Sequence, residues 1–79
     1  MRLDKFLKST RIIKRRTIAQ ELAKNKRIFR NQMALKPSSE IKSGDILEIF
    51  LKNRYLKVKV ISDVEYEILE EKKIEEGQL

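Results

Sequence analysis

Seven cationic side chains lie within the first sixteen residues of this chain, and the chemistry they favour is phosphate binding. They are Arg2, Lys5, Lys8, Arg11, Lys14, Arg15 and Arg16. A guanidinium group can pair with phosphate through two parallel N–H donors, which gives Arg2 and Arg16 the most weight. The cluster therefore predicts a surface that binds a polyanion.

Two further candidates extend this set. Gln20 follows Arg16 by four residues, so a helix would place both side chains on one flank. Lys36 opens the segment Lys36-Pro37-Ser38-Ser39, which either brings a cation and two hydroxyl groups to phosphate or is a plain loop.

The charge of the chain is segregated. Residues 1–36 hold 12 Lys or Arg against two acids, whereas residues 37–79 hold seven against ten. The net charge of +7 suggests nucleic acid, an anionic membrane surface or an acidic protein as partner. A surface that only confers solubility would interleave the two signs, so we favour nucleic acid.

Composition argues against catalysis. The chain has 79 residues, which is enough for one small domain, and it contains neither Cys nor His. It therefore lacks a thiolate nucleophile and the commonest metal ligand and general base. We expect no enzymatic activity, no metal, no cofactor and no small-molecule substrate.

No apolar run approaches the roughly 20 residues that span a bilayer, and the charged start lacks the apolar stretch of a signal peptide. We expect a cytoplasmic protein without a membrane partner, and we interpret the chain from Met1 to Leu79 as complete.

Four other positions have two interpretations each. Asp4 either orients a neighbouring cation towards RNA or is a first-turn acid favoured by the helix dipole, and the second is preferred. Phe6 either stacks on a base or, as we prefer, lies in the core beside Leu3 and Leu7. Phe29 and Tyr55 either stack on bases or, as we prefer, pack within or at the edge of the core.

Two short helices are predicted to carry the cationic cluster. In the segment Arg2–Ser9, Leu3, Phe6 and Leu7 share one face, and Lys5 and Lys8 lie opposite. A second helix is predicted from Arg15 to Lys24, with Ile18, Ala19 and Leu22 facing inward. Ile12 and Ile13 are expected to anchor the basic linker, and the two helix N-termini to add N–H donors for phosphate.

After residue 26 the hydrophobic period changes to two, which predicts strands. The strands are expected at residues 27–30, 33–35, 46–51 and 55–61, with a last one over 64–69. Turns are expected at residues 31–32, 43–45 and 53–54, and residues 70–79 are expected to be frayed or weakly helical. The order predicts an α+β domain: two short helices on a small, mainly antiparallel sheet.

Several of these residues also carry a family resemblance. The pattern Arg2-Leu3-Asp4-Lys5-x-Leu7, Arg11, Lys14-x-Arg16-x-x-Ala19, Lys36-Pro37-Ser38 and Gly44-Asp45 resembles the RNA-binding domain named after protein four of the small ribosomal subunit. The resemblance covers roughly residues 1–62, and residues 63–79 would form the last strand and an acidic tail. The opening residues look most like a stand-alone bacterial subgroup that is similar to heat-shock protein fifteen.

The resemblance implies an αL motif, two helices whose basic face holds structured RNA. It further implies binding to ribosomal RNA of the stalled large subunit and to peptidyl-tRNA, in support of an RqcH-like factor that adds alanine tails to the nascent chain. Carried over by position, Arg2 and Arg16 would be the main RNA contacts, assisted by Lys5, Lys14 and Arg15.

The sequence departs from the family pattern at three places. Lys26 replaces a Gly after the second helix, so a left-handed residue there falls on Asn25 or is strained. Asn31-Gln32 replaces Asn-Gly, which weakens the prediction of a type I′ turn. Arg15 replaces a small hydroxyl residue, so the second helix loses a side-chain cap.

There are four alternatives to a ribosome quality-control factor. One is a general structured-RNA or ribosomal-RNA binder in ribosome recycling or assembly, and another is a DNA-binding regulator of the helix-turn-helix type. The third is an adaptor whose acidic segment Glu70–Glu76 docks on a basic protein, and the fourth is a fragment of an RNA-modifying enzyme. A monomer is expected because the chain has no heptad pattern.

Overall fold

The fold consists of two helices followed by five strands. The computed structural model describes residues 1–74. The helices are α1 (Leu3–Ser9) and α2 (Arg16–Lys24), and the strands are β1 (Ile28–Arg30), β2 (Met33–Ala34), β3 (Ile46–Phe50), β4 (Arg54–Val60) and β5 (Tyr66–Lys73). The predicted α+β class is confirmed.

The strands form one antiparallel sheet in the order β2-β1-β3-β4-β5. Alternate residues of β3 and β4 are buried, including Leu47, Ile49 and Val58, and they share one core with the apolar face of α1. The helices therefore lie on a single face of the sheet.

The apolar face of α1 is the one predicted. Leu3, Phe6 and Leu7 are fully buried. Arg11 ends the helix region with a left-handed backbone (φ 63°), and the chain turns back so that the N–H of Ile13 bonds to the carbonyl of Leu7 at 3.1 Å. Ile13 is buried, which anchors the basic linker as expected.

Helix α2 buries, fully or in part, two of the three residues that were predicted to face inward, Ala19 and Leu22. Ala19 and Ala23, four residues apart, are buried, and Leu22 is partly buried against the core. Ile18 is 44% exposed, so its inward placement was wrong. A stripe centred on two alanines allows close approach of the helix, and Ile18, 100° away from Ala19, is left on the solvent side.

The structure shows the backbone at the three positions where the sequence departs from the family pattern. The left-handed residue after α2 is Lys26 (φ 57°), and not Asn25, which ends the helix with φ −88°. Asn31 and Gln32 both have positive φ, as a type I′ turn requires, and they join β1 to β2 with Arg30 opposite Met33. Arg15 precedes α2 without a side-chain cap, as expected.

Strand β5 corrects the interpretation of the C-terminal segment. Residues 70–73, expected to be frayed or weakly helical, pair with β4 in a register that places Glu70 opposite Lys57 and Glu71 opposite Leu56. Cross-strand pairing of opposite charges favours a strand over a solvated tail. Residues 75–79 lie outside the described residues.

Candidate nucleic-acid interface

A fully buried carboxylate, Asp4, is the centre of the basic surface. The Arg2 guanidinium binds it with two donors, Nε to Oδ1 and Nη2 to Oδ2, both at 3.2 Å. Arg16 approaches from α2, with Nε 3.3 Å from Oδ2 and Nη2 3.4 Å from Oδ1. Gln20 donates its amide Nε2 to Oδ2 at 3.0 Å, and the backbone N–H of Lys5 donates to Oδ1 at 2.8 Å.

These contacts keep Asp4 ionised. Burial raises its pKa, but the hydrogen bonds from Gln20, Arg16, Arg2 and the Lys5 backbone outweigh burial and lower the pKa from 3.8 to about 2. At neutral pH the group is therefore a fixed buried anion that holds side chains from both helices.

The two arginines still have donors to offer. A guanidinium carries five N–H bonds, and its contact with Asp4 uses one edge of the fork. The Arg2 and Arg16 side chains are 49% and 44% exposed. Their remaining donors are available to an anion in solvent, and Asp4 limits the rotamers from which they act.

The loop after β2 is fixed to the start of α1. The N–H of Leu3 donates to the carbonyl of Ser39 at 2.9 Å, and the N–H of Asp4 donates to the carbonyl of Pro37 at 3.1 Å. The terminal ammonium of Met1 also contacts the Glu40 carboxylate at 2.6 Å. The N–H donors that we expected α1 to offer to phosphate are therefore already used, and that expectation was wrong for α1.

Because the loop is fixed in this way, Lys36 lies near Arg2. Arg2, Gln20 and Lys36 line one cleft of about 590 Å³, together with Lys24 and Lys26. Sequence reasoning missed the last two as site residues, although their position within the cationic half of the chain was a signal that could have identified them.

The other candidates surround this centre. Lys8, Arg11 and Lys14 line a second depression, so the end of α1 and the linker present their charges together. Lys5 lines a third with Arg2. Arg15, just before α2, is exposed.

The aromatic side chains of the sheet pack on one another. The Phe29 and Phe50 rings meet edge to face at 5.7 Å, and Phe50 lies 5.0 Å from Tyr55. The Tyr55 hydroxyl donates to Glu48 at 2.6 Å, and burial together with this carboxylate raises the pKa of Tyr55 to about 12. Phe29 and Tyr55 therefore pack with Phe50 outside the buried core cluster, on the face of the sheet opposite the helices, and their stacking on bases stays a prediction.

Two cations away from the cluster are paired with acids. Arg30 contacts Asp45 at 2.9 Å, and Arg54 contacts Glu71 at 3.3 Å.

No helix within residues 1–74 is long and apolar enough to cross a membrane.

Comparison with known proteins gives a matching family model and several similar proteins. Residues 1–47 match the family model described as S4 domain. A Streptococcus pneumoniae protein named RQC P-site tRNA stabilizing factor is 43% identical over 87 residues, covering 98% of this chain and 99% of its own length. The Bacillus subtilis protein of the same name is 48% identical over 60 residues, covering 76% of this chain and 70% of its own.

A solved structure shares the fold. The trimeric heat shock protein 15 of Vibrio cholerae superimposes with a TM-score of 0.77 at 23% identity, over 86% of this chain and 80% of that one.

Proposed function

Since the chain belongs to the S4 domain family, we propose that it is a non-enzymatic RNA-binding factor of ribosome-associated quality control. In this proposal it binds folded RNA, including tRNA in the P site, through phosphate contacts. The names of its relatives support this assignment of process and ligand.

The observation that carries the proposal is the presentation of Arg2 and Arg16 by one buried carboxylate. Two forked cations held side by side on different helices suit the phosphates of a folded RNA backbone. Recognition through backbone and shape is the usual way in which proteins bind structured RNA, because side chains cannot read the deep, narrow major groove.

The same contacts argue against a DNA-binding regulator. A recognition helix needs side chains that reach base edges. In α2 the best such side chain, Gln20, donates its amide to Asp4, and the exposed Ile18 has no polar group with which to read a base.

The finer assignment follows from the resemblance of the opening residues. The chain binds ribosomal RNA of the large subunit together with peptidyl-tRNA, and it supports an RqcH-like factor that adds alanine tails to the stalled chain. It acts in the cytoplasm and as a monomer, and Arg2, Arg16, Lys5, Lys14 and Arg15 make the RNA contacts.

Co-sedimentation with purified large ribosomal subunits tests this function. Subunits with and without P-site peptidyl-tRNA are compared for the wild-type chain, for Arg16→Ala and for Lys59→Ala. The last variant removes one exposed positive charge from β4, outside the cationic cluster, and serves as the matched control.

We expect stronger binding in the presence of peptidyl-tRNA, loss of binding in Arg16→Ala and little change in Lys59→Ala. Equal losses in the two variants would mean that only net charge matters. Indifference to the tRNA would contradict the role in quality control while leaving RNA binding in place.

A further inference from the structure

The cleft that Arg2, Gln20 and Lys36 line differs from the rest of the basic surface, because several of its lining residues are apolar. Ala23, Ala34, Leu35 and Pro37 contribute to its lining, and Ala23 and Leu35 are buried core residues. We propose that this cleft is a nucleobase pocket, which receives one unpaired base of the bound RNA. The inference rests on the proposed function and deepens it by adding a base to the phosphate contacts.

The size and the rim of the cleft fit this ligand. Its volume of about 590 Å³ falls in the range of roughly 300–1,000 Å³ that is usual for small-ligand sites. Four cations are among its lining residues: Arg2 and Lys36, and Lys24 and Lys26 at the end of α2. An apolar surface with cations close by complements a flat base that is flanked by phosphates.

The cleft also offers polar groups for the edge of a base. A carboxylate only accepts hydrogen bonds, so the Gln20 amide must turn its nitrogen towards Asp4. Its amide oxygen then lies on the other side of the group as an acceptor for a base amino or imino group.

The edge strand β2 contributes backbone groups. The N–H of Leu35 donates to the carbonyl of Ile28 on β1 at 2.8 Å. Because successive residues of an antiparallel strand alternate in direction, the N–H and C=O of Ala34 point to the open edge of the sheet. They add one donor and one acceptor along a wall of the cleft.

The test compares two RNA hairpins that differ by one base. The first carries a single unpaired nucleotide in its stem and is prepared with each of the four bases. The second carries an abasic ribose at the same position, so that its phosphates are kept. The proteins are the full wild-type chain, Ala34→Leu and Met33→Leu.

Ala34 is exposed, lies on an edge strand and lines the cleft, so Leu is compatible with the backbone and adds bulk at the cleft wall. Met33, the preceding residue, is 72% exposed and does not line the cleft, which makes its variant the matched control.

For the best of the four bases, we expect the wild type and Met33→Leu to bind the intact hairpin about tenfold more tightly than the abasic one. Ala34→Leu should lose this difference. Equal affinity of the wild type for intact and abasic hairpins, with steep salt dependence, would overturn the pocket and leave the proposed function standing.

Discrimination that persists in Ala34→Leu would place the base elsewhere and would also overturn the pocket. Salt-independent or absent binding of both hairpins would overturn the proposed function and the pocket together.

Discussion

Asp4 is the residue that converts a run of basic sequence into a defined site. It lies within the cationic cluster, and the sequence allowed two interpretations: a helix-dipole acid or a group that orients cations. The structure shows a fully buried anion that contacts Arg2, Arg16 and Gln20. The orienting interpretation, the less preferred of the two, thus describes its principal contacts.

The prediction at this scale concerns acid stability. The pKa of Asp4 falls from 3.8 to about 2 on folding. A lowered folded-state pKa contributes stability above pH 4, and that contribution is lost as the pH falls towards 2. The shift corresponds to about 2 kcal/mol of unfolding free energy.

Denaturation of the wild type and of Asp4→Asn between pH 7 and pH 2 would measure this term. The difference in unfolding free energy between the two proteins should shrink below pH 4. A constant difference across this range would show that the charge of Asp4 does not stabilise the fold.

Sequence reasoning identified the cations at this scale but not their arrangement. Arg16 and Gln20 are 12 and 16 residues away from Asp4 along the chain, so the contact depends on how α1 packs on α2. Helical periodicity defines the face of one helix and carries no information about the angle between two.

At the scale of elements, the contact between the helices depends on small side chains. Ala19 is fully buried, whereas the neighbouring Ile18, which we expected inward, is 44% exposed. Hydrophobicity alone ranks Ile above Ala, and for this reason the sequence pattern placed Ile18 inward beside Ala19 and left out Ala23.

The substitutions Ala19→Leu and Ile18→Gln test this packing. Ala19→Leu should destabilise the fold by about 1–3 kcal/mol because the larger side chain overpacks the helix contact. Ile18→Gln should change stability by no more than about 0.5 kcal/mol, as surface substitutions do. Urea denaturation measures both, and the reverse order would contradict the assigned stripe.

A second prediction concerns the turn after α2. Lys26 has φ 57°, a left-handed conformation that costs a non-glycine residue roughly 1–2 kcal/mol. Lys26→Gly should therefore stabilise the fold by about 0.5–1 kcal/mol. Lys24→Gly removes the same charge from a helical position and should destabilise it by about 1 kcal/mol.

Thermal unfolding of the two glycine variants distinguishes these effects, because their midpoints should move in opposite directions. A shift in the same direction would show that the left-handed backbone at Lys26 carries no strain.

The sheet was predictable wherever alternation was clear. In β4 the alternation of Leu56, Val58 and Val60 with lysines marked a half-buried strand correctly. Residues 70–73 of β5 have the composition of a solvated tail, and what makes them a strand is pairing with β4, an interaction that local sequence does not show.

At the scale of the whole molecule, the charges separate into a basic helical end and a balanced sheet. Glu67 and Glu70 on β5 stand opposite Lys59 and Lys57 on β4, and Glu71 pairs with Arg54. The acids of the second half thus offset the lysines of the sheet, and the excess positive charge stays at α1, the linker and α2.

This distribution bears on the adaptor hypothesis. Deleting residues 70–79 would remove half of β5. The N–H of Ile74 also bonds to the carbonyl of Asn53 at 2.9 Å. A truncation that tests for an acidic docking segment must therefore begin after Ile74. Loss of residues 75–79 should leave RNA affinity unchanged, as measured by fluorescence anisotropy. A fall in RNA affinity would contradict the placement of the RNA site on the helices, the linker between them and the loop after β2.

The most direct test of the central claim is the salt dependence of RNA affinity. It is measured with a purified tRNA for the wild type, Arg16→Ala and Lys59→Ala. The logarithm of the binding constant should fall linearly with the logarithm of salt concentration, by about 0.7–0.9 per phosphate contacted. Arg16→Ala should bind more weakly and lower the slope by about one contact, whereas Lys59→Ala should keep the wild-type slope. A flat salt response, or equal slopes in wild type and Arg16→Ala, would contradict phosphate binding by the arginines that Asp4 holds.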